Sequence, residues 1–351
     1  MQAHYLKYLL NFKQPSGTSR GILTQKETFF LILEHDGNRG IGECAVFRGL
    51  SADDVPEYEA QLQWVCRNIQ LGKAVLMEQL GHFPSLLFGI EQAFLTLEHP
   101  SEFLHFPSEF TAGKDGIPIN GLIWMGKPEF MKEQIRQKID SGFTTLKLKI
   151  GALDFQTELD IVQFIRKEFK ENDLTIRVDA NGAFHPDEAM EKLKRLSEFQ
   201  LHSIEQPIKA GQWESMASLC ASSPIPIALD EELIGIFEPN EKEKLLNSIR
   251  PPFIILKPSL HGGIVGCNDW INLAETQKTG WWITSALESN VGLNAIAQYT
   301  YTCASPLPQG LGTGGLYTNN IESPLEVSGG YLRYDASKKW DLSPLIQNHS
   351  I

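Results

Sequence analysis

From about residue 117 onward, short apolar runs alternate with longer amphipathic stretches, and this alternation constrains the fold more than any other feature of the sequence. The runs have strand length, and the stretches between them repeat apolar residues with helical spacing. The candidate strands are IPING (117–121), TLKLKI (145–150), LTIRVD (174–179), LHSIE (201–205), PIALD (226–230), FIILK (253–257), WWITS (281–285) and, weakly, QGLG (309–312). Seven or eight such units without a glycine-rich phosphate loop favour a (β/α) barrel over a doubly wound sheet.

The residues before this alternation follow a different pattern. FFLILEH (29–35) and GIGECAVF (40–47) read as strands on either side of a DGNRG turn, and helical patterns follow them. The first 112 residues or so are therefore predicted to form an α+β unit. The segment from about 319 to 351 completes no further strand-helix unit, and we expect it to pack back against this first unit.

Composition restricts the class of protein and its partners. The 351 residues suggest two domains, or one large barrel with an attachment. Acidic residues outnumber basic ones by 43 to 31, giving a net charge of -12, which argues against nucleic-acid or membrane partners. The five scattered cysteines indicate reduced thiols, and no signal peptide or long apolar run is present, so we expect a cytoplasmic protein. The oligomeric state is not indicated.

Charged residues stand at the ends of five consecutive candidate strands. Active sites of (β/α) barrels lie at the carboxyl ends of the strands. The residues at these ends are Lys149, Asp179, Glu205, Asp230 and Lys257. Because side chains alternate along a strand, Ile176 and Val178 facing the helices turn Asp179 into the barrel, and the same reasoning applies to the other four. Lys147, two positions before Lys149, is also predicted to point into the barrel mouth.

The three carboxylates should converge on one point. Unpaired carboxylates in a semi-buried mouth repel each other unless a cation lies between them. Ligation by oxygen alone suits Mg²⁺, or Mn²⁺, better than Zn²⁺. The competing interpretation is that each carboxylate forms an ordinary salt bridge with a lysine. Glu231 competes with Asp230 as a ligand, although alternation sends it to the opposite face.

Two lysines beside a divalent metal suggest removal of a proton next to a carboxylate. The metal would bind the carboxylate of a small-molecule substrate and stabilise the enediolate, while a lysine with a lowered pKa removes the α-proton. Lys149 is the predicted base, and Lys147 would lower the pKa of its neighbour. Lys257, on the far side, would protonate the opposite face or stabilise the anion.

Five ordered motifs resemble the enolase superfamily and, within it, the muconate-lactonizing subgroup. They are KLKIG (147–151), VDANGAF (178–184), IEQPI (204–208), ALDEEL (228–233) and ILKPSLHGG (255–263). The resemblance implies an α/β fold in which a modified (β/α)7β TIM-like barrel follows an N-terminal α+β capping domain. It divides the chain into a capping domain with lid loops (1–112), a barrel carrying the active site (113–318) and a C-terminal segment (319–351).

The same resemblance implies roles for individual residues. Asp179, Glu205 and Asp230 correspond to the Mg²⁺ ligands, and Lys149 and Lys257 to the acid/base lysines. Asn181 corresponds to a residue that lies beside the metal ligands.

The last two strand ends resemble one group within this subgroup. ITSALESNVGLNAIAQ (283–298) and QGLGTGGLYTNNI (309–321) are similar to o-succinylbenzoate synthases, which dehydrate a cyclohexadiene carboxylate in menaquinone synthesis. This implies that Ser285, Gly312 and Thr313 hydrogen-bond a succinyl arm. Residues 16–28 and 47–50 are either lid elements or plain surface loops.

Three alternatives remain open. N-acylamino acid racemases and muconate cycloisomerases use the same machinery, so their residues would be the same. A metal-binding barrel without catalysis is an alternative of another class, although the retention of both lysines speaks against it. Dipeptide epimerases carry an Asp-x-Asp motif at the eighth strand, and GLGTGG has none.

His261, just past Lys257, is expected on a surface loop.

Overall fold

The computed structural model describes residues 1–18, 21–99 and 103–346. The strands among them are β1 (Gln2–Thr18), β2 (Gly21–His35), β3 (Asn38–Cys44), β4 (Gly116–Pro118), β5 (Gly121–Ile123), β6 (Thr145–Lys149), β7 (Thr175–Asp179), β8 (Ser203–Glu205), β9 (Ile227–Leu229), β10 (Phe253–Leu256), β11 (Gly280–Ile283), β12 (Leu325–Ser328) and β13 (Tyr331–Tyr334). The α-helices are α1 (Tyr58–Arg67), α2 (Lys73–Gln79), α3 (Pro84–Glu98), α4 (Pro128–Asp140), α5 (Phe155–Glu168), α6 (Pro186–Ser197), α7 (Trp213–Ser222), α8 (Pro239–Ile249), α9 (Gly263–Gln277), α10 (Asn290–Thr302) and α11 (Ser343–Ile346). None of these helices combines the length and apolar character needed to cross a bilayer.

Strands β5 to β11 form one curled parallel sheet in chain order, with helices α4 to α10 following them in turn. Two residues close the ring between its edge strands. The Gly310 amide donates to the Ile283 carbonyl at 2.8 Å, and the Gln309 carbonyl accepts from the Asn120 amide at 2.9 Å. In the described part of the chain, no helix follows this closing segment before β12. The ring is therefore a (β/α)7β barrel, and the predicted fold class is confirmed.

The first barrel strand is the one that the sequence misplaces. The run 117–121 was predicted to enter the barrel, but its first residues belong to β4 (Gly116–Pro118), which pairs antiparallel with β13 in a small separate sheet, and only residues 119–121 take part in the barrel. The barrel strand is β5, which pairs with β6 from Gly121 onward. A short apolar run does not specify its partner strand, and Pro118 has no amide to continue a ladder. The weak candidate 309–312 contributes only the two bridging residues.

The N-terminal unit is a three-stranded antiparallel sheet, β1-β2-β3, with buried residues on both faces. Phe29, Leu31 and Leu33 pack in one cluster with residues of α1, α2 and α3. The alternate residues Phe30 and Ile32 join a second cluster that contains three groups of distant residues. These are Val291 of α10, Ile321, and Leu342 and Leu345 near the end of the described chain. The C-terminal segment thus packs on the first sheet, while the predicted boundaries at 112 and 318 stay predictions.

Two buried glutamates join this unit to the barrel. Glu43 of β3, fully buried, accepts hydrogen bonds from the amides of Ser289 and Gly292 at 2.9 Å each, at the start of α10. Glu91 of α3 accepts from the amides of Ile264 and Val265 at the start of α9. Carboxylates at a helix N-terminus satisfy free amides and interact favourably with the helix dipole. Each glutamate therefore ties the first unit to one barrel helix.

We predict that Glu43→Ala lowers the free energy of unfolding by about 3 kcal/mol, because several buried donors lose their acceptor at once. Urea denaturation followed by fluorescence measures this. Glu78 is exposed, and Glu78→Ala should change stability by less than about 0.5 kcal/mol. Equal effects of the two changes would contradict the proposed capping role of Glu43.

Candidate active site

The parallel register places the predicted charged residues at one end of the barrel. Lys149 of β6 lies beside Asp179 of β7, and Asp179 lies beside Glu205 of β8. Asp230 directly follows β9, and Lys257 directly follows β10. The apolar residues between these positions face the helices and are buried in the main core cluster. The alternation that places apolar residues outside therefore also gathers the charged side chains inside.

Each of the six predicted side chains takes part in an ion pair. Lys147 Nζ lies 2.9 Å from Asp179 Oδ2 and 2.5 Å from Glu205 Oε2. Lys149 Nζ lies 2.6 Å from the same Asp179 oxygen. On the other side of the mouth, Lys257 donates to Asp230 Oδ2. The three carboxylates are at most 3% exposed, so their charges depend on these partners.

The pKa values reflect this mutual dependence. Burial alone would lower the pKa of Lys147, but the charges of Asp179, Glu205 and Asp230 outweigh burial and raise it. Burial would raise the pKa of Asp230, whereas the adjacent Lys257 brings it down to about 2. Glu205 differs from Asp230, because burial and the nearby Asp179 charge raise its pKa well above the ordinary value. The lysines thus compensate only part of the negative charge of the three buried carboxylates.

The donor set fits a divalent metal, although the carboxylates turn toward ammonium groups here. No group of three or more His, Cys, Asp or Glu side chains in the described ranges has an arrangement that would hold a metal ion. Salt bridges alone nevertheless leave Glu205 Oε1 and Asp230 Oδ1 buried without a hydrogen-bond partner. Buried carboxylate oxygens without partners are costly, and oxygen atoms are the ligands that Mg²⁺ and Mn²⁺ prefer. A cation among these carboxylates would supply the missing partner.

Asn181 lies in direct contact with Lys149 and links it to Glu231. Its Oδ1 accepts from Lys149 Nζ at 2.7 Å, and its Nδ2 donates to Glu231 Oε1 at 2.9 Å. The expectation that alternation sends Glu231 to the opposite face was wrong. Strand β9 ends at Leu229, and a 3-10 turn begins at Glu231, so a period of two no longer applies.

Two residues at the site were missed by the sequence reasoning. His261 was expected on a surface loop but is 1% exposed, and its Nδ1 accepts from the Lys257 amide at 2.9 Å. Gln206 Oε1 accepts from the Asp230 amide at 3.2 Å and from the Glu232 amide at 3.3 Å. Both brace the backbone that carries a predicted site residue. The available signal was their position in the chain, since Gln206 directly follows Glu205 and His261 lies shortly after Lys257.

A cavity opens above these charges and is lined by both parts of the molecule. Lys147, Lys149, Asn181 and Lys257 form its floor, while Ser285, Gly312 and Thr313 line a wall together with Trp124. Ser285 Oγ and Thr313 Oγ1 lie 2.7 Å apart. All predicted substrate-contacting positions therefore face one space.

The two predicted lid elements differ in structure. Phe47 and Leu50, from the predicted element 47–50, line the cavity from the first unit. Residues 16–18 and 21–28 of the other predicted element belong to strands β1 and β2, with Gly17 paired to Ile22 between the two strands and bridged to Met125 of the barrel. Residues 19 and 20 of that stretch lie outside the described residues.

Comparison with known proteins places this architecture. Residues 130–338 match the family described as enolase C-terminal domain-like. The chain belongs to this family. One family relative, the o-succinylbenzoate synthase of Desulfotalea psychrophila, is 46% identical over 95% of this chain and 98% of its own length. A crystal structure of MenC from the same organism superposes with a TM-score of 0.86 at 44% identity, covering 95% of this chain and 99% of that one.

More distant structures share the enolase-superfamily fold. The muconate lactonizing enzyme of Pseudomonas fluorescens superposes with a TM-score of 0.82 at 21% identity, covering 98% of this chain and 97% of that one. The L-Ala-D/L-Glu epimerase of Bacillus subtilis superposes with a TM-score of 0.83 at 19% identity, covering 95% of this chain and 96% of that one.

We predict that Lys147→Met lowers the free energy of unfolding of the metal-free protein by about 3–5 kcal/mol, because Asp179 and Glu205 lose their shared buried cation. Urea denaturation in EDTA measures the change. Lys244 is exposed on α8, so Lys244→Met serves as the control. A loss below about 1 kcal/mol would show that these carboxylates do not depend on Lys147.

Proposed function

We propose that this protein is an o-succinylbenzoate synthase, a carbon-oxygen lyase that dehydrates 2-succinyl-6-hydroxy-2,4-cyclohexadiene-1-carboxylate in menaquinone biosynthesis. The near full-length 46% identity to a synthase carries the proposal. The cavity supports it independently, since two lysines line it from opposite sides of a buried carboxylate group. The predicted cytoplasmic location belongs to the same proposal.

Lys149 is the proposed base. In its neutral form, its Nζ takes the proton from the carbon that bears the substrate carboxylate. Removal of this proton gives an enediolate, whose electrons then form the new C=C bond as the neighbouring C–O bond breaks. Lys149 returns the proton to the departing hydroxyl group, so that water leaves on the same face. Its contact with Asn181, at 2.7 Å, fixes the position of the nitrogen.

Lys257 acts as a fixed cation on the opposite side. Burial lowers the pKa of Lys257, but the charges of Asp230 and Glu205 outweigh this and raise it, so the group stays protonated. A fixed ammonium at this place stabilises the negative charge that develops on the substrate when the α-proton leaves. The His261 ring, through the Lys257 amide, holds the backbone that positions this charge.

Asp179, Glu205 and Asp230 would hold Mg²⁺, with Mn²⁺ as a substitute. Bound there, the metal supplies Lewis-acid attraction for the substrate carboxylate and for its developing charge. The buried oxygens without partners on Glu205 and Asp230 support this assignment. N-acylamino acid racemase and muconate-type cycloisomerase activities remain the alternatives, because they begin with the same proton transfer or the same metal-bound carboxylate.

We expect purified protein with Mg²⁺ to consume the cyclohexadiene substrate with kcat/KM above about 10⁴ M⁻¹s⁻¹, followed as loss of ultraviolet absorbance. Lys149→Ala should lower kcat by about 10³-fold or more, and EDTA should abolish turnover. Lys244→Met is the matched control and should retain full activity. If no turnover occurs, α-proton exchange of N-acylamino acids in deuterated water would test the racemase alternative.

The ligand assignment has its own test. Asp179→Asn, Glu205→Gln and Asp230→Asn should each weaken Mn²⁺ binding by about 10-fold or more, since each removes one anionic oxygen donor. Titration of free Mn²⁺ by electron paramagnetic resonance measures the affinity without any substrate. Asp187→Asn, at an exposed position on α6, should leave it unchanged. Unaltered affinity in all three site variants would place the metal elsewhere.

A further inference from the structure

The wall of the catalytic cavity contains a strained backbone segment directly after β11. Ser285, Ala286 and Leu287 line the cavity, and Leu287 has a φ of 61°, in the left-handed region that favours glycine. A residue other than glycine keeps such a conformation only where its surroundings hold it. Contacts around residues 285–288, which we call the wall segment, must therefore stabilise this shape.

Glu288, fully buried at the end of the wall segment, provides two of these contacts. Its Oε2 accepts from the Ala286 amide at 2.7 Å, and its Oε1 accepts from Ser259 Oγ. Tyr317 Oη adds a third contact by donating to the Leu287 carbonyl at 2.7 Å. Since Ser259 belongs to the loop after β10, the Glu288 carboxylate joins the wall segment to that loop. The shape of the wall thus depends on the Glu288 side chain.

Lys26 of β2 approaches this carboxylate from the first unit. Lys26 pairs with Leu10 across the β1-β2 ladder, so both side chains lie on one face of the sheet. On that face, Leu10 packs with Leu287 and Tyr317 in one buried cluster. Lys26 is itself only 7% exposed, and its ammonium group interacts with the charge of Glu288. The buried lysine therefore lies behind the wall segment.

The charge balance makes Glu288 depend on Lys26. Burial lowers the pKa of Lys26, and the charges of Glu43 and Glu288 oppose this shift. Burial raises the pKa of Glu288, and the charge of Lys26 opposes that shift. Glu43 has other partners, because it accepts from amides at the start of α10 and from Thr28 Oγ1. Without Lys26, Glu288 would be a buried charge that no cation compensates, which is strongly destabilising.

The contact between Lys26 and the carboxylates is one of charge. Its Nζ makes no hydrogen bond to any described residue, so the ammonium group acts on the carboxylates at a distance and not as a donor. Loss of this charge would therefore be felt by Glu288 without breaking a hydrogen bond of the wall segment.

We propose that Lys26 is a positioning residue for substrate binding, which acts by compensating the buried charge of Glu288. With that charge compensated, Glu288 holds the wall segment in its strained shape, and this shape sets the affinity for the substrate. Lys26 does not touch the substrate, since it is not among the described residues that line the cavity. The inference rests on the proposed function for the reaction by which affinity is measured.

Lys26→Met tests this role by removing the charge from a side chain of similar length. KM for the cyclohexadiene substrate should rise by about 10-fold or more, while kcat changes by less than about threefold, because Lys149 and Lys257 are untouched. Lys242 is another buried lysine, paired with Asp269 between α8 and α9 and away from the wall segment. Lys242→Met is therefore the matched control and should change KM by less than about twofold.

A Glu288→Gln background shows whether Lys26 acts through Glu288. Glutamine keeps an acceptor for the Ala286 amide and a partner for Ser259 Oγ, but it has no charge to compensate. In this background, Lys26→Met should change KM by less than about threefold. A KM increase of the same size in both backgrounds would overturn the proposal, since the loss would then come from the missing side chain. If Lys26→Met alone does not fold, a folded double variant supports the proposal and an unfolded one overturns it.

The conformation of Leu287 separates this inference from the proposed function. In crystal structures, Leu287 should leave the left-handed region in Lys26→Met and keep it in Lys242→Met. Turnover by the unaltered protein with an unchanged KM in Lys26→Met would retain the synthase and reject the positioning role. Without turnover by the unaltered protein, the synthase proposal fails, and the conformation of Leu287 in the two variants decides whether Lys26 holds the wall. A wall segment unaltered by Lys26→Met overturns the inference in either case.

Discussion

The ammonium group of Lys147, shared by Asp179 and Glu205, is the interaction on which the barrel mouth depends. Both carboxylates are almost completely buried, and a buried charge without a partner is strongly destabilising. The pairing requires β6, β7 and β8 to keep their parallel register, because a shift of one residue would turn every charged side chain outward. The structural core and the reactive site are consequently held by the same register.

Much of the barrel could be read from the sequence, for physical reasons. In β6, β7, β8, β9 and β10, apolar side chains must pack against the helices, so alternation also directs the charged side chains into the barrel. The reasoning failed where this period ends. Glu231 follows the end of β9 in a 3-10 turn, and its side chain reaches Asn181 on the site side.

Other failures concern partners that are distant in the chain. The run at 117–121 contains apolar residues suited to either of two sheets, and only β13, some 200 residues later, decides which residues pair. The burial of His261 likewise depends on packing that no local pattern records. For the same reason β1, with few consistently buried side chains, was not predicted, although its ladder with β2 builds the first unit.

The second apolar face of the β1-β2-β3 sheet affects the order in which the protein folds during its synthesis. Phe30, Ile32 and Ile41 are covered by Val291 of α10 and by Ile321, Leu342 and Leu345, and the last three leave the ribosome only after the whole barrel has been synthesised. Until then, this apolar face lacks part of its native cover and is exposed to association with other chains. The N-terminal unit, first to be translated, is thus among the last parts of the molecule to be completed.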